Sequence, residues 1–137
     1  MTCDLRQLAA AIRSATHGID SLADLVVATR DPVATRGIVH AMSRAEGELG
    51  HDDSLSMTRL LNDLESLAIE DDVTACCMMP YLWELASDVL GAHDITNAVD
   101  LWLAQVSDPR IAVHVQYLAE HGGDVYVREH FQRLVGE

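Results

Sequence analysis

The 137-residue chain contains no lysine and has only two tryptophans, three tyrosines and one phenylalanine. Asparagine occurs only as Asn62 and Asn97. Lysine, asparagine and phenylalanine have AT-rich codons, so a GC-rich bacterial gene explains their scarcity more simply than selection against lysine modification inside a host. With 49% hydrophobic residues, the chain can still bury one core, and we expect a single domain over residues 1–137.

Cysteines are few, and their number is odd. Cys76 and Cys77 are adjacent, and Cys3 stands alone, so a framework of disulfide bonds is improbable. The first residues lack the charged and apolar regions of a signal peptide, and no stretch has the length of a membrane span. These absences predict a cytoplasmic protein that does not enter a membrane.

Positive charge is missing from the middle of the chain. Residues 60–109 contain ten carboxylates and no lysine or arginine, which supplies −10 of the formal net charge of −13. Apolar residues are interleaved with these acids, so the region should fold and present its charge on a surface. Such a surface repels nucleic acid and anionic membrane and favours encounter with a basic protein. The alternative interpretation is that the charge only maintains solubility.

Apolar residues recur with helical spacing along most of the chain, and Asp or Ser stands where most of the segments begin. No strand pattern is evident, so the sequence predicts an all-α fold of seven to eight antiparallel helices. The predicted helices cover about 4–17, 21–29, 32–49, 54–67, 73–90, 94–106, 109–120 and 124–134. Pro80 lies inside one segment, and we expect a kink there because the apolar stripe continues beyond it.

The helix starts repeat along the chain. Asp31, Asp71 and Asp108 are separated by intervals of 40 and 37 residues, and the starts at Asp53 and Asp94 are 41 residues apart. Periods near forty residues with two helices per unit are typical of α-solenoids. Residues 31–137 resemble HEAT-like repeats, whose units often begin with Asp-Pro. The resemblance implies an α-solenoid, and an irregular helical bundle is the alternative.

Catalytic signatures are absent from the sequence. Its seven histidines form no metal motif, and there is no Cys-x-x-Cys, phosphate loop or nucleophile elbow. Cys76 and Cys77 read as core residues. The sequence therefore predicts a protein that is not an enzyme and has no metal site or cofactor. A ligand pocket around Trp102, His114 and Tyr117 is the alternative.

Partner-binding residues are predicted from charge and helix position. Glu84 and Asp88 are four residues apart, which would place them on one exposed helix stripe with Tyr81 a turn earlier. Asp63 and Asp100 lie opposite the apolar stripes of their helices and should also face water. A partner could bind to this face, with Trp83 or Trp102 at its edge. The alternative is a solvated face with both tryptophans buried.

The size, acidity and absence of catalytic motifs resemble those of bacterial immunity proteins. This resemblance implies an inhibitor that neutralises a basic toxin by covering its active or substrate-binding surface. Three alternatives stay open: a secretion chaperone or adaptor for an effector, a helical domain that is enzymatic or binds a small molecule, and a nucleic-acid mimic. The identity of the partner and the oligomeric state do not follow from the sequence.

Overall fold

The computed structural model describes residues 21–136, which form seven α-helices and no β-strand. The predicted all-α class is therefore confirmed. The helix predicted over residues 4–17 and Cys3 lie outside the described residues. The helices are α1 (Leu22–Ala28), α2 (Pro32–Glu48), α3 (Asp53–Glu70), α4 (Asp72–Ala86), α5 (His93–Gln105), α6 (Pro109–His121) and α7 (Val125–Gly136).

Side-chain caps begin most of these helices, because a carboxylate or hydroxyl can accept from the free N–H groups of the first turn. The predicted caps at Asp31, Asp108 and Asp124 all accept such a bond. The sequence left two other starts open, and the structure places the caps at Ser21 rather than Asp20 and at Asp71 rather than Asp72. Two predicted starts are wrong. Asp52 caps α3, with Leu55 N–H at 2.8 Å from its Oδ1, whereas the sequence predicted Asp53 or Ser54 as the cap. Helix α5 begins at His93 without a side-chain cap, one residue before the predicted start at Asp94.

Helix α4 lies at the centre of the described fold and packs against α2, α3, α5 and α6. Its residues 74–82 are all buried. No charged residue lies between Asp72 and Glu84, and a helix that is apolar on all sides is stable when surrounded by other helices. Cys76 and Cys77 belong to this core as free thiols, and burial raises their pKa to about 12 and about 11. Their predicted role as core residues is confirmed.

One unbroken helix passes through Pro80, but α4 ends at Ala86 and not at residue 90 as predicted. The chain continues in tighter turns, in which Val89 N–H donates to the Ala86 carbonyl. Gly91 then adopts a φ of +84°, a conformation that glycine allows and that ends helical geometry. Asp88 consequently lies in the connection after α4, so Glu84 and Asp88 do not share a helix stripe.

Most of the contacts between helices follow a regular pattern. Neighbours along the chain pack in the pairs α2/α3, α3/α4, α4/α5 and α6/α7, and alternate helices pack in the pairs α2/α4, α3/α5 and α4/α6. Stacked two-helix units produce this pattern. Helix α2 also contacts α6, as in a more compact bundle. Both predicted arrangements fit these contacts, so the HEAT-like solenoid stays a prediction.

Candidate functional site

An open groove of about 320 Å³ lies between α2, the start of α3 and the end of α4. We call it the Glu84 groove. Its apolar lining comes from Met57, Leu85 and Val89, and Ser43 and Gly123 complete its wall. Its charged and titratable lining residues are Arg36, His40, Asp53, Glu84 and Asp88.

Glu84 is held by groups from three parts of the fold, and its side chain is only 7% exposed. On α2, Arg36 donates from Nε to Oε1 at 3.0 Å and from Nη2 to Oε2 at 2.5 Å. His40 Nε2 lies 3.3 Å from Oε1, and Gly123 N–H donates to Oε2 at 2.8 Å. A buried carboxylate is stable only when it is paired and hydrogen-bonded, and each of these groups meets that need.

The charge state of Glu84 follows from these partners. Burial by itself would raise the pKa of the carboxyl group, since a low dielectric disfavours an ion. Hydrogen bonds from His40, Arg36 and Gly123 outweigh burial, and the pKa lies below its usual value. The groove therefore contains a fixed anion next to the partly exposed Arg36 guanidinium.

The Gly122-Gly123 pair brings the chain close to Glu84. A Cβ on Gly122 would lie 2.7 Å from Val127 Cγ1 and 2.8 Å from the Leu118 carbonyl oxygen, so only glycine fits this turn. The turn presents Gly123 N–H to the carboxylate. The sequence indicated a helix break at these glycines, but it gave no sign of the hydrogen bond.

The prediction that Tyr81 and Glu84 are exposed is wrong. Both lie on α4, which other helices surround, and Tyr81 is fully buried. Its O–H donates to His114 Nδ1 at 2.7 Å, because His114 Nε2 lies 2.7 Å from the Thr29 carbonyl and must donate to it. Burial lowers the pKa of His114, which favours this neutral form. Tyr81 therefore belongs to a buried hydrogen-bond chain.

Asp88 is exposed, as predicted, and Asp53 faces the same groove from the first turn of α3. Neither carboxylate makes an ion pair with the residues that the structure describes. Sequence reasoning treated Asp53 only as a helix cap and missed its position in the groove. The groove thus combines three carboxylates with one guanidinium and one imidazole.

Asp63 lies on α3 outside the Glu84 groove and is half-buried, so the prediction that it faces water is wrong in part. Burial raises its pKa to about 6, and the nearby Glu46 charge adds to the increase while Arg59 opposes it. Within residues 21–136 it accepts no hydrogen bond. Glu46 lies on α2, so Asp63 interacts with a residue of the neighbouring helix.

Asp100 lies on α5, half-buried, and pairs with His130 Nε2 of α7 at 2.8 Å from its Oδ1. The His130 ring stacks on Trp83 with a centroid separation of 4.1 Å. Asp100 also lines a second groove, of about 480 Å³, between α5, α6 and α7, which we call the α5–α7 groove. Its apolar walls include Leu103, Val106, Ile111, Val115, Leu134 and Val135.

The five predicted partner-binding residues therefore do not form one face. Glu84 and Asp88 share the Glu84 groove, Asp100 lines the α5–α7 groove, and Asp63 and Tyr81 line neither. Both tryptophans are half-buried, and Trp102 Nε1–H donates to Glu65 Oε2 at 3.3 Å. Trp102, His114 and Tyr117 line neither groove, and the alternative pocket around them stays a prediction.

Comparison with known proteins finds no matching family model, no matching curated protein and no matching solved structure. In residues 21–136, no group of three or more His, Cys, Asp or Glu side chains is arranged to hold a metal ion. Of the seven described helices, none combines the length and apolar character needed to cross a lipid bilayer.

Proposed function

We propose that the chain is a non-catalytic acidic binding protein, an immunity-type inhibitor that covers the active or substrate-binding surface of a basic toxin. The observation that carries this proposal is the Glu84 groove. Exposed Asp53 and Asp88 stand beside an apolar lining, next to a carboxylate whose charge Arg36 and His40 fix in place. A groove of this composition suits a cationic side chain on a folded partner.

Lysine and arginine carry a long alkyl stem and a charged head. In the Glu84 groove, Met57, Leu85 and Val89 can contact the stem, while Asp53 and Asp88 can pair with the head. Charge-assisted hydrogen bonds to a carboxylate are stronger than those between neutral groups. Because Glu84 and Arg36 are already bonded to each other, they need no rearrangement when the partner binds.

Further acids would assist the encounter with the partner. Glu70, Asp72 and Asp94 are exposed and make no ion pair within the described part of the chain. Charge complementarity of this kind raises association rates and excludes partners of like charge. A basic toxin that acts on nucleic acid would present the complementary surface, since such a protein must itself attract phosphate.

The test is affinity capture from a lysate of the source organism at low and high salt, followed by association kinetics of the retained protein. We expect one stoichiometric basic protein that is lost at high salt. Asp88→Arg should slow its association at low salt by about tenfold or more, whereas Asp94→Arg, a reversal outside the groove, should have a smaller effect. Glu84 is unsuitable for charge reversal because it is buried.

Equal association rates for Asp88→Arg and the unmodified chain at low salt would contradict the electrostatic mechanism. Three other results would favour the alternatives. A complex insensitive to salt would indicate a secretion chaperone or adaptor. Thermal stabilisation by a small molecule without any protein would indicate a ligand-binding or enzymatic domain, and displacement of DNA from the captured protein would indicate a nucleic-acid mimic.

A further inference from the structure

The α5–α7 groove is larger than the Glu84 groove and has a different character. Most of its lining is apolar, contributed by three helices, and Val135 on its wall is 45% exposed. An apolar depression between helices is a common docking site for the apolar face of another helix. The described structure leaves this groove open.

Charge around the α5–α7 groove indicates what it can bind. Asp100 and Asp108 line it, whereas no described arginine or histidine does. Arg110 pairs with Asp108 and His130 pairs with Asp100, which holds both carboxylates in position at the lining. A segment that enters should therefore be apolar on one face and carry cations beside that face.

We propose that the α5–α7 groove binds an amphipathic helix of a partner protein, with the apolar face of that helix in the groove and its lysines or arginines near Asp100 and Asp108. A second copy of this chain fits less well, because each copy has a formal charge of −13 and like charges repel. Anionic lipid is disfavoured for the same reason. The partner that supplies this helix need not be a toxin.

A synthetic peptide tests the proposal with the full chain. The probe contains only leucine and lysine, spans about four helical turns and has leucine on one face. One control peptide has the same composition in a shuffled order, and another keeps the leucine face but replaces lysine with glutamate. We expect the probe to bind at least about tenfold more tightly than either control. In methyl NMR it should shift the signals of Ile111, Val115, Leu134 and Val135.

Two neighbouring substitutions distinguish binding in the groove from binding to the surrounding surface. Ala112 is exposed and lines the groove, so Ala112→Arg places a cation there without disturbing the core. Val113 is exposed but lies outside the groove lining, which makes Val113→Arg the matched control. Ala112→Arg should weaken binding of the probe by about tenfold, and Val113→Arg should change it by less than about twofold.

Several results would overturn the proposal. One is that the shuffled peptide binds as tightly as the probe, and another is that the two arginine variants bind the probe with equal affinity. A third is that the probe shifts the methyl signals of Leu85 and Val89 in the Glu84 groove and not those of the α5–α7 groove. Groove methyls that shift on Ile12→Glu without any peptide would assign the groove to residues 1–20 of the chain itself.

Discussion

Glu84 is a buried carboxylate and Asp63 a half-buried one in the same helical fold, yet their pKa values shift in opposite directions. For Glu84 the pKa lies below its usual value, and for Asp63 it is raised to about 6. Burial favours the neutral acid at both positions. The difference therefore comes from their neighbours, and it shows that partners decide whether a buried acid in this fold keeps its charge.

The neighbours differ in sign. Glu84 accepts hydrogen bonds from Arg36 and from Gly123 N–H, whereas Asp63 faces another carboxylate, Glu46. Glu46 Oε2 is itself buried and lies 3.4 Å from His51 Nε2 and 3.9 Å from Arg59 Nε. Neither contact is a hydrogen bond, and Glu46 Oε2 has no hydrogen-bond partner among the described residues. One region thus pairs opposite charges, while the other holds two like charges together.

These environments have opposite effects on stability as pH changes. The folded state lowers the pKa of Glu84, so its stabilising contribution is present above pH 4.5, the ordinary value, and is lost as pH falls through the folded value. The folded state raises the pKa of Asp63, so the folded chain binds the additional proton. That contribution is present below pH 3.8 and is lost as pH rises to about 6.

The largest effect should follow from removal of Arg36. In Arg36→Met the unbranched stem is kept, but Glu84 loses its main cationic partner while it stays buried. Loss of one partner of a buried ion pair destabilises proteins by about 3 to 5 kcal/mol. Urea unfolding at pH 7.5 measures the change. Arg44→Met, at an exposed position on the same helix, should change the free energy of unfolding by less than about 0.5 kcal/mol.

The double variant Arg36→Met, Glu84→Met sharpens this test. If an unpaired Glu84 charge causes the loss, removal of both charges should recover a substantial part of the stability, since apolar replacements of a buried pair are often neutral or better. A double variant as unstable as the sum of the two single variants would show that packing, and not charge, dominates at this position.

Tyr81→Phe tests a buried polar contact that carries no charge. The substitution removes the O–H donor and leaves His114 Nδ1 without its partner inside the core. An unsatisfied buried group costs about 1 to 3 kcal/mol, so we expect a smaller loss than for Arg36→Met. Thermal unfolding measures it, with Tyr126→Phe as the control because Tyr126 is 74% exposed. Equal effects at the two tyrosines would contradict the buried hydrogen-bond chain.

Asp63→Asn should increase the stability of the protein, whereas the preceding substitutions decrease it. The amide resembles the protonated acid, so the variant avoids the repulsion between Asp63 and Glu46 that develops as pH rises. Because the pKa rises from 3.8 to about 6 and the group is partly exposed, we expect stabilisation of about 1 to 2 kcal/mol at pH 7.5. The gain should be smaller at pH 5. Urea unfolding at both pH values measures the gain, with Asp88→Asn as the surface control. An equal gain at pH 5 and pH 7.5 would contradict the raised pKa of Asp63.

Much of the fold was predictable because it depends on local chemistry. The caps at Asp31 and Asp108 were identified from neighbouring residues alone, since each accepts from an N–H two or three positions later. The sequence also indicated that α4 is buried, because no charged residue lies between Asp72 and Glu84. We predicted Tyr81 and Glu84 on the surface because we expected this helix to have one apolar stripe and one exposed stripe.

The candidate site was less predictable, because its contacts join distant parts of the chain. The partners of Glu84 are 48, 44 and 39 residues away at Arg36, His40 and Gly123. Helix periodicity does not indicate which turn of one helix faces which turn of another. Asp63 and Asp100 were placed on outer faces for the same reason, although both approach residues of neighbouring helices.

His40→Ala should have the smallest effect and sharpen the assignment of roles around Glu84. The histidine lies 3.3 Å from Oε1, its side chain is 34% exposed, and Arg36 and Gly123 N–H remain when it is removed. A partly exposed pair of this kind contributes about 0 to 1 kcal/mol, so urea unfolding at pH 7.5 should show a loss in that range. A loss as large as that of Arg36→Met would mean that Glu84 needs both cationic partners. A small loss would show that Arg36 and the backbone amide are sufficient to hold the carboxylate beside the groove.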